Sequence, residues 1–155
     1  TIIGVDIKPE RLELAMEFGA THVINSAEKN PVLQIQTITG MGADYSIETT
    51  AVPTVYRQAL ESLNLTGECV LLGVPPMGTE VTFDMQSFLT GKKTRGVIEG
   101  DSVPQIIIPQ MIELYKQGKF PFDKLIKFYD AKDINQAVAD TESGVTIKPV
   151  IRFDG

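Results

Sequence analysis

The chain has 155 residues, 43% of them apolar, and a formal net charge of −6. This length suits one ordinary domain with a proper core, and the acidic balance argues against a nucleic-acid-binding protein, which would present a basic face. The single cysteine, Cys69, excludes an internal disulfide and a cysteine-rich zinc site. No apolar run approaches the roughly 20 residues of a membrane span, so we expect no membrane segment, and a reducing, cytoplasmic location fits.

Residues 1–19 have the pattern of a buried strand followed by an amphipathic helix. The β-branched run at residues 2–5 is typical of a parallel strand and ends at Asp6, Pro9 suits a first helical turn, and Gly19 is placed to end the helix. In a dinucleotide-binding fold, a carboxylate at this place accepts hydrogen bonds from the adenosine ribose. An isolated aspartate after a strand, however, more often caps a helix or lies in a solvated turn. Because the chain begins inside this strand-like segment, we expect it to be a piece of a longer protein.

Alternating strand and helix signals continue to the end of the chain and predict an α/β fold with a parallel sheet. Further strands are predicted at residues 22–25, 43–48, 68–74, 94–100, 124–129 and 147–153, with a short edge strand at 79–83. Helices are predicted at residues 30–40, from 53 onward, at 84–91, at 102–118 and from 130 onward. Asn30 is the predicted N-cap of the second helix, since its side chain accepts hydrogen bonds from free backbone N–H groups.

Five segments of this chain carry a resemblance to a known family. They are IIGVDIKPERLELAMEFGATHVIN, GADYSIETT, GECVLLGVPP, GVIEGDS and GVTIKPVIRF. In this order and spacing they are similar to the coenzyme domain of the medium-chain, zinc-dependent alcohol dehydrogenases, and the resemblance covers nearly all of the chain. Within that family, GVIEGDSVPQ and GKFPFDKLIKFYD most resemble the aryl (benzyl) alcohol dehydrogenases.

The resemblance implies a Rossmann-like, doubly wound parallel sheet, truncated at its amino end and followed by a strand–helix–strand tail. The first strand and the glycine-rich turn that would bind the pyrophosphate are missing, because no G-x-G-x-x-G occurs in the sequence. The catalytic domain that carries the zinc ligands in this family is also absent. On this basis zinc belongs to the parent enzyme only, and this chain alone is expected to be inactive.

The parent enzyme implied by the resemblance is an NAD-dependent, cytoplasmic alcohol dehydrogenase that forms a homodimer or homotetramer. It would oxidise small primary alcohols, aromatic ones by the narrower resemblance, to aldehydes by hydride transfer. Two rival hypotheses stay open. One is a free-standing, methyltransferase-like module for an adenosine ligand, which also has an acidic residue after its second strand. The other is a self-associating fragment without activity.

On the adenosine side, the resemblance assigns three residues. Asp6 would bind the ribose hydroxyls, and because a carboxylate repels a 2′-phosphate, it implies NAD rather than NADP. Arg11 falls where the family has a basic residue that touches the same ribose, the alternative being a solvated helix face. Thr49 follows strand 43–48 and would lie along the adenine side and the nicotinamide ribose, the alternative being an ordinary turn.

On the nicotinamide side, the family uses backbone groups at the ends of two further strands. The matching residues here are Leu72, Gly73, Val74, Val97, Ile98 and Glu99. Glu99 and Asp101 replace neutral residues of better-known members, so they either favour the positively charged oxidised ring or point to solvent. Lys148 falls where a basic residue lies near the pyrophosphate, the alternative being a solvated lysine.

The missing first strand raises a question of pairing. In the order 3-2-1-4-5-6 it lies between residues 1–6 and residues 43–48. Unpaired backbone groups inside a sheet are costly, so we expect these two strands to pair directly. The alternatives are a strand from another copy or from further residues of the protein.

Overall fold

The computed structural model describes residues 1–153. They form an α/β structure that divides into two compact units, Thr1–Asp101 and the part that begins at Ser102. Among the helices of the described part, none has the length and apolarity to cross a membrane.

The first unit alternates strands with helices, as the sequence predicts. Its strands are β1 (Ile3–Asp6), β2 (His22–Asn25), β3 (Ala43–Glu48), β4 (Leu63–Leu71) and β5 (Lys93–Gly96). Its helices are α1 (Pro9–Glu17), α2 (Pro31–Thr39), α3 (Pro53–Glu61) and the short α4 (Gln86–Leu89).

Prolines and one asparagine start these helices. Pro9, Pro31 and Pro53 each occupy a first helical position, where a missing N–H costs nothing. The Asn30 side chain accepts hydrogen bonds from the N–H groups of Val32 and Leu33, at 3.0 and 3.3 Å. The predicted N-cap is therefore confirmed.

Two separate parallel sheets make up this unit. Within the described residues, β1 pairs with β2 alone, from Ile3 opposite His22 to Asp6 opposite Asn25, and the second sheet has the order β3-β4-β5. The prediction that residues 1–6 pair directly with 43–48 is wrong. We attribute this to the helices: α1 packs on β1 and β2, α3 on β3 and β4, and α2 contacts β2, β3 and α3. Adjacent helices pack about 8–10 Å apart, roughly twice the spacing of paired strands, so the helix layer holds β1 and β3 apart.

Strand β4 begins and ends earlier than the predicted 68–74. Its pairing with β3 jumps from Ala43 opposite Leu63 to Tyr45 opposite Glu68, which takes up the extra residues between. Gly67 lies inside this irregular stretch, where an added Cβ would come within 2.9 Å of the Ala43 carbonyl oxygen. The glycine thus permits a close approach of two strands rather than ending one.

Two further strand predictions need correction. Residues 79–83 form no strand, because the chain turns at Pro76, whose carbonyl accepts from Thr79 N–H at 3.1 Å, and Phe83 packs edge-on against Tyr56. Strand 94–100 stops at Gly96, because residues 99–101 have left-handed backbone angles that no strand accommodates.

The core of the first unit is small. One cluster consists of Leu60, Leu63 and Cys69, with partly buried residues packed against it. Leu12 and Ile24 are also buried, in α1 and β2. Cys69 is fully buried, and burial raises the pKa of its thiol. A buried thiol with a raised pKa is a packing residue rather than a nucleophile.

The second unit contains two helices and a two-stranded parallel sheet. They are α5 (Pro104–Lys116), β6 (Ile126–Asp130), α6 (Ile134–Ser143) and β7 (Lys148–Arg152), with Ile126 opposite Lys148. The predicted helix at 102–118 and strands at 124–129 and 147–153 are confirmed with shifts at their ends. The last helix begins later than residue 130, since Ala131–Asp133 first form a 3₁₀ turn.

A hydrogen-bonded network around Asp140 ties the second unit together. Its carboxylate, 15% exposed, accepts bonds from Tyr129 Oη at 2.6 Å, Lys127 Nζ at 2.9 Å and Gln136 Nε2 at 2.7 Å. Tyr129 Oη also contacts the hydroxyl of the buried Thr146 at 2.5 Å. These bonds, that from Tyr129 foremost, lower the pKa of Asp140 to about 2.

We predict that Asp140→Asn removes a pH-dependent part of the stability. A carboxyl whose pKa is lowered by folding stabilises the folded state above its unfolded value, near 3.9, and loses that contribution as the pH falls through about 2. The variant should therefore unfold at a lower temperature than the parent at pH 6, and the difference should shrink between pH 4 and pH 2. Thermal unfolding followed by circular dichroism at several pH values measures this.

The matched control is Asp130→Asn, since Asp130 forms only an exposed pair with Lys132 at 3.2 Å. It should change the melting temperature little at any pH. A deficit of Asp140→Asn that is equally large at pH 2 and pH 6 would contradict the role of the charge.

Candidate functional site

The carboxyl ends of β3, β4 and β5 meet at one edge of the sheet. Glu48, Leu71 and Gly96 lie opposite one another in the parallel register. Ligands of open α/β sheets bind outside this edge. The aligned register therefore gathers the loops that follow the three strands into a single candidate surface, which we call the strand-end edge.

The nicotinamide-side candidates lie in these loops. Sequence analysis placed 72–74 and 97–99 at the last positions of strands, and this is wrong by a few residues, because β4 ends at Leu71 and β5 at Gly96. They still follow the aligned positions directly, together with Thr49. The side chains of Val74 and Ile98 are 91% and 83% exposed, so they are accessible to a ligand.

A buried carboxylate at the end of β3 is a residue that sequence analysis did not single out. Glu48 is 1% exposed. Its Oε1 accepts from the N–H of Thr50 at 2.6 Å and from the Thr50 hydroxyl, and its Oε2 accepts from the N–H of Ala51 at 3.0 Å. The available signal was an acidic residue as the last member of a predicted strand, but that signal does not reveal these partners.

The same residue also joins the loop after β4. The Glu48 carbonyl accepts from the N–H groups of Leu72 and Gly73, at 2.8 and 3.2 Å. Gly73 lies so close to the first loop that a Cβ on it would come within 2.3 Å of the Ala51 nitrogen. Ala51 itself has φ 61°, in the left-handed region that residues other than glycine rarely adopt.

Asp6 ends β1 as predicted. Its Oδ1 accepts from the N–H groups of Ile7 at 2.7 Å and Lys8 at 2.9 Å. These bonds hold the carboxylate at the carboxyl end of the strand, where a ribose would approach. They are also the bonds of an ordinary aspartate turn, so both interpretations of Asp6 find support in the geometry.

The structure gives the positions of two other predicted residues, Arg11 and Lys148, but does not test their roles. Arg11 is half-buried in α1, whose first turn follows Asp6 in the chain. Lys148 belongs to the second unit, where it is the exposed first residue of β7. The functions assigned to both stay predictions.

The two acidic residues after β5 differ in their surroundings. Asp101 accepts from Arg95 at 2.8 Å and from the N–H of Ile98 at 3.3 Å, and Arg95 also pairs with Glu68 at 2.7 Å. The hydrogen bonds that Arg95 donates to Glu68 and to Asp101 raise the pKa of Arg95. Asp101 therefore serves to close its own loop, and both Asp101 and Glu99 are exposed.

Within residues 1–153, no three His, Cys, Asp or Glu side chains come together in a group able to hold a metal ion. The described residues therefore do not fit the donor set of a zinc site.

Comparisons with known proteins agree with the fold. A family model described as zinc-binding dehydrogenase matches residues 1–117. Among curated proteins, the geraniol dehydrogenase of Castellaniella defragrans is 36% identical over 154 residues, which span 98% of this chain and 41% of that protein. The chain thus spans about two fifths of the length of this curated relative.

Two solved structures are similar over the whole chain. An alcohol dehydrogenase zinc-binding domain protein from Burkholderia ambifaria is 51% identical with a TM-score of 0.98, and 100% of this chain matches 42% of that one. The benzyl alcohol dehydrogenase of Acinetobacter calcoaceticus is 45% identical with a TM-score of 0.96, and 99% of this chain matches 42% of that one.

We predict that Gly73→Ala destabilises the first unit, because the new methyl group meets the Ala51 backbone rather than a movable side chain. Overpacking of this kind costs about 1–3 kcal/mol. Gly96→Ala is the matched control at the end of β5, since no atom lies within 4 Å of the added Cβ there. Urea unfolding of the two variants measures the difference, and equal midpoints would show that the Ala51–Gly73 approach is not a constraint.

Proposed function

The chain belongs to the zinc-binding dehydrogenase family, and we propose that it is the coenzyme-binding part of an NAD-dependent alcohol dehydrogenase. The observation that carries the proposal is the strand-end edge, where the register of β3, β4 and β5 gathers three loops at the place where α/β sheets bind their ligands. The similarity to an alcohol dehydrogenase and a benzyl alcohol dehydrogenase over the whole chain supports it.

For the cofactor, we propose a division of roles between the two sheets. Asp6, held by two backbone N–H groups, accepts hydrogen bonds from the ribose hydroxyls and selects NAD against NADP by repulsion of a 2′-phosphate. Arg11 flanks the ribose. The loop at Thr49 lines the adenine and ribose side, and the nicotinamide lies against the loops at residues 72–74 and 97–99. The role of Lys148 at the pyrophosphate rests on the family resemblance alone.

The proposed reaction of the whole enzyme is the oxidation of a primary alcohol to an aldehyde. NAD, when bound, accepts the hydride. This chain binds and orients the cofactor. Because the described residues do not fit a zinc site, we assign the zinc to other parts of the enzyme and no catalytic step to this chain, which we propose is inactive alone.

We further propose that the substrate is an aromatic alcohol. Support comes from the solved benzyl alcohol dehydrogenase, which is 45% identical. A cytoplasmic homodimer or homotetramer is proposed on the resemblance alone.

The cofactor choice is tested by changing Asp6 in the complete enzyme. Asp6→Ala combined with Ile7→Arg should weaken NAD binding and improve NADP binding, because the ribose loses an acceptor and a 2′-phosphate gains a cation. The loss of a hydrogen bond to a charged group corresponds to about 10–100-fold in affinity. The kcat/KM ratio for NAD against NADP measures the switch.

A charge-matched control is Glu10→Arg, which replaces an exposed carboxylate in the first turn of α1 and raises the net charge by the same amount as the double variant. It should leave the NAD preference unchanged. A parent enzyme that prefers NADP would refute our assignment of Asp6, and one that binds no dinucleotide would refute the proposed function.

A second test concerns the metal. The chain by itself, dialysed against a trace of zinc and then analysed by mass spectrometry, should retain far less than one equivalent, because one cysteine and one histidine cannot supply four ligands. A stoichiometric zinc would show that the ligands lie in this chain.

A further inference from the structure

We propose that Glu48 is a positioning residue for the cofactor: it fixes the loop after β3 against the loop after β4, and thereby the backbone groups that both present at the strand-end edge. The inference rests on the proposed function, since it concerns the same edge. It assigns a role to a buried acidic group that neither the resemblance nor the proposed contacts use.

Glu48 forms hydrogen bonds with both the loop after β3 and the loop after β4. Its carboxylate accepts three hydrogen bonds from Thr50 and Ala51, and its carbonyl accepts two more from Leu72 and Gly73. No comparable link is needed within an ordinary strand-to-helix turn, where the N–H groups bind water or a cap. The carbonyl bonds survive a substitution at Glu48, so a side-chain change acts on the loop after β3 and reaches the loop after β4 through the close contact of Ala51 with Gly73.

The bonds of the Glu48 carboxylate hold Ala51 in a left-handed conformation. Ala51 has φ 61°, which an L-residue avoids without compensation. Its N–H points at Glu48 Oε2, and its backbone lies where a Cβ on Gly73 would be. The carboxylate thus holds Ala51 in an unfavourable conformation that leaves just enough room for Gly73.

The negative charge of Glu48 is buried and needs an acceptor role for both carboxylate oxygens. A carboxylate that is 1% exposed is costly to bury unless hydrogen bonds satisfy both oxygens. Both Glu48 oxygens have donors, and among the described residues no buried side-chain oxygen or nitrogen lacks a partner. Glutamine has the same shape but only one acceptor oxygen, so it would turn an N–H group toward the N–H of Ala51 or of Thr50. The two acceptor oxygens, and not merely the packing, are what the loop requires.

The test compares three variants of the complete enzyme. Glu48→Gln removes one acceptor oxygen, Thr50→Val removes the hydroxyl that donates to Glu48 and accepts from the N–H of Val52 at 3.1 Å, and Ser62→Ala is the matched control. Ser62 is 1% exposed in the same unit, and its hydroxyl donates to the Ala59 carbonyl at 2.9 Å, not to either loop. For each variant, the Kd of NADH is measured by fluorescence titration and the melting temperature by calorimetry.

We expect Glu48→Gln to raise the Kd of NADH about tenfold and Thr50→Val about threefold, as the loss of one buried acceptor and of one hydroxyl bond predicts. Ser62→Ala should lower the melting temperature but leave the Kd unchanged. Amide exchange read by NMR should show faster exchange at Thr50 and Ala51 in Glu48→Gln only. If Glu48→Gln does not fold, Thr50→Val decides the question.

The outcomes separate this inference from the proposed function. If the parent enzyme binds NADH and the loop variants change the Kd no more than Ser62→Ala does at equal thermal loss, the positioning role is refuted and the proposed function stands. If the parent enzyme binds no NADH, both are refuted.

Discussion

The hydrogen bonds of Glu48 determine the shape of the strand-end edge. A bond to a charged group contributes about 1.5–3 kcal/mol, whereas a left-handed alanine costs roughly 1–2 kcal/mol. The carboxylate of Glu48 accepts from both Thr50 and Ala51, so its bonds outweigh the cost of the Ala51 conformation. That conformation in turn explains why position 73 is a glycine, since any Cβ there would overlap the Ala51 backbone.

The two sheets of the first unit each end in an open edge. On β1 and β3, Val5 is 41% exposed and Ile47 is 67% exposed. Apolar residues on both faces are typical of parallel strands that are covered on both sides, and an uncovered edge invites pairing with another strand. The helices keep the edges apart instead of letting them close, which supports the proposal that this chain works as part of a longer protein.

Sequence analysis predicted the elements better than their partners. The alternation of apolar strands and capped helices predicted the strands at 22–25 and 43–48 with the bounds that the structure has, and the Asn30 cap, because these depend on local chemistry. The pairing of strands depends on which helices lie across which strands. The local sequence pattern between β1 and β3 does not specify that arrangement, so the direct pairing of residues 1–6 with 43–48 was mispredicted. The early end of β5 also escaped prediction, since Glu99 and Asp101 adopt left-handed angles without being glycines. The candidate site divides in the same way: the position of Asp6 after a strand was predicted from the sequence, whereas the role of Glu48 was missed because its hydrogen bonds depend on the conformation of two loops.

Three acidic residues near the strand-end edge differ in their hydrogen bonds and ion pairs. These differences matter because the proposed ligand, a dinucleotide, is an anion and the chain is acidic. The carboxylate of Glu48 is stabilised by hydrogen bonds from backbone N–H groups and the Thr50 hydroxyl. Asp101 pairs with Arg95, which also pairs with Glu68, and it accepts from one N–H group. Asp101 and Glu99 are both exposed, where solvent and salt screen their fields. Hydrogen bonding, pairing and screening therefore reduce the negative field at the edge despite the overall charge of −6. What the loops offer outward is mainly backbone and apolar surface, which suits an uncharged carboxamide and a flat ring better than it suits phosphates.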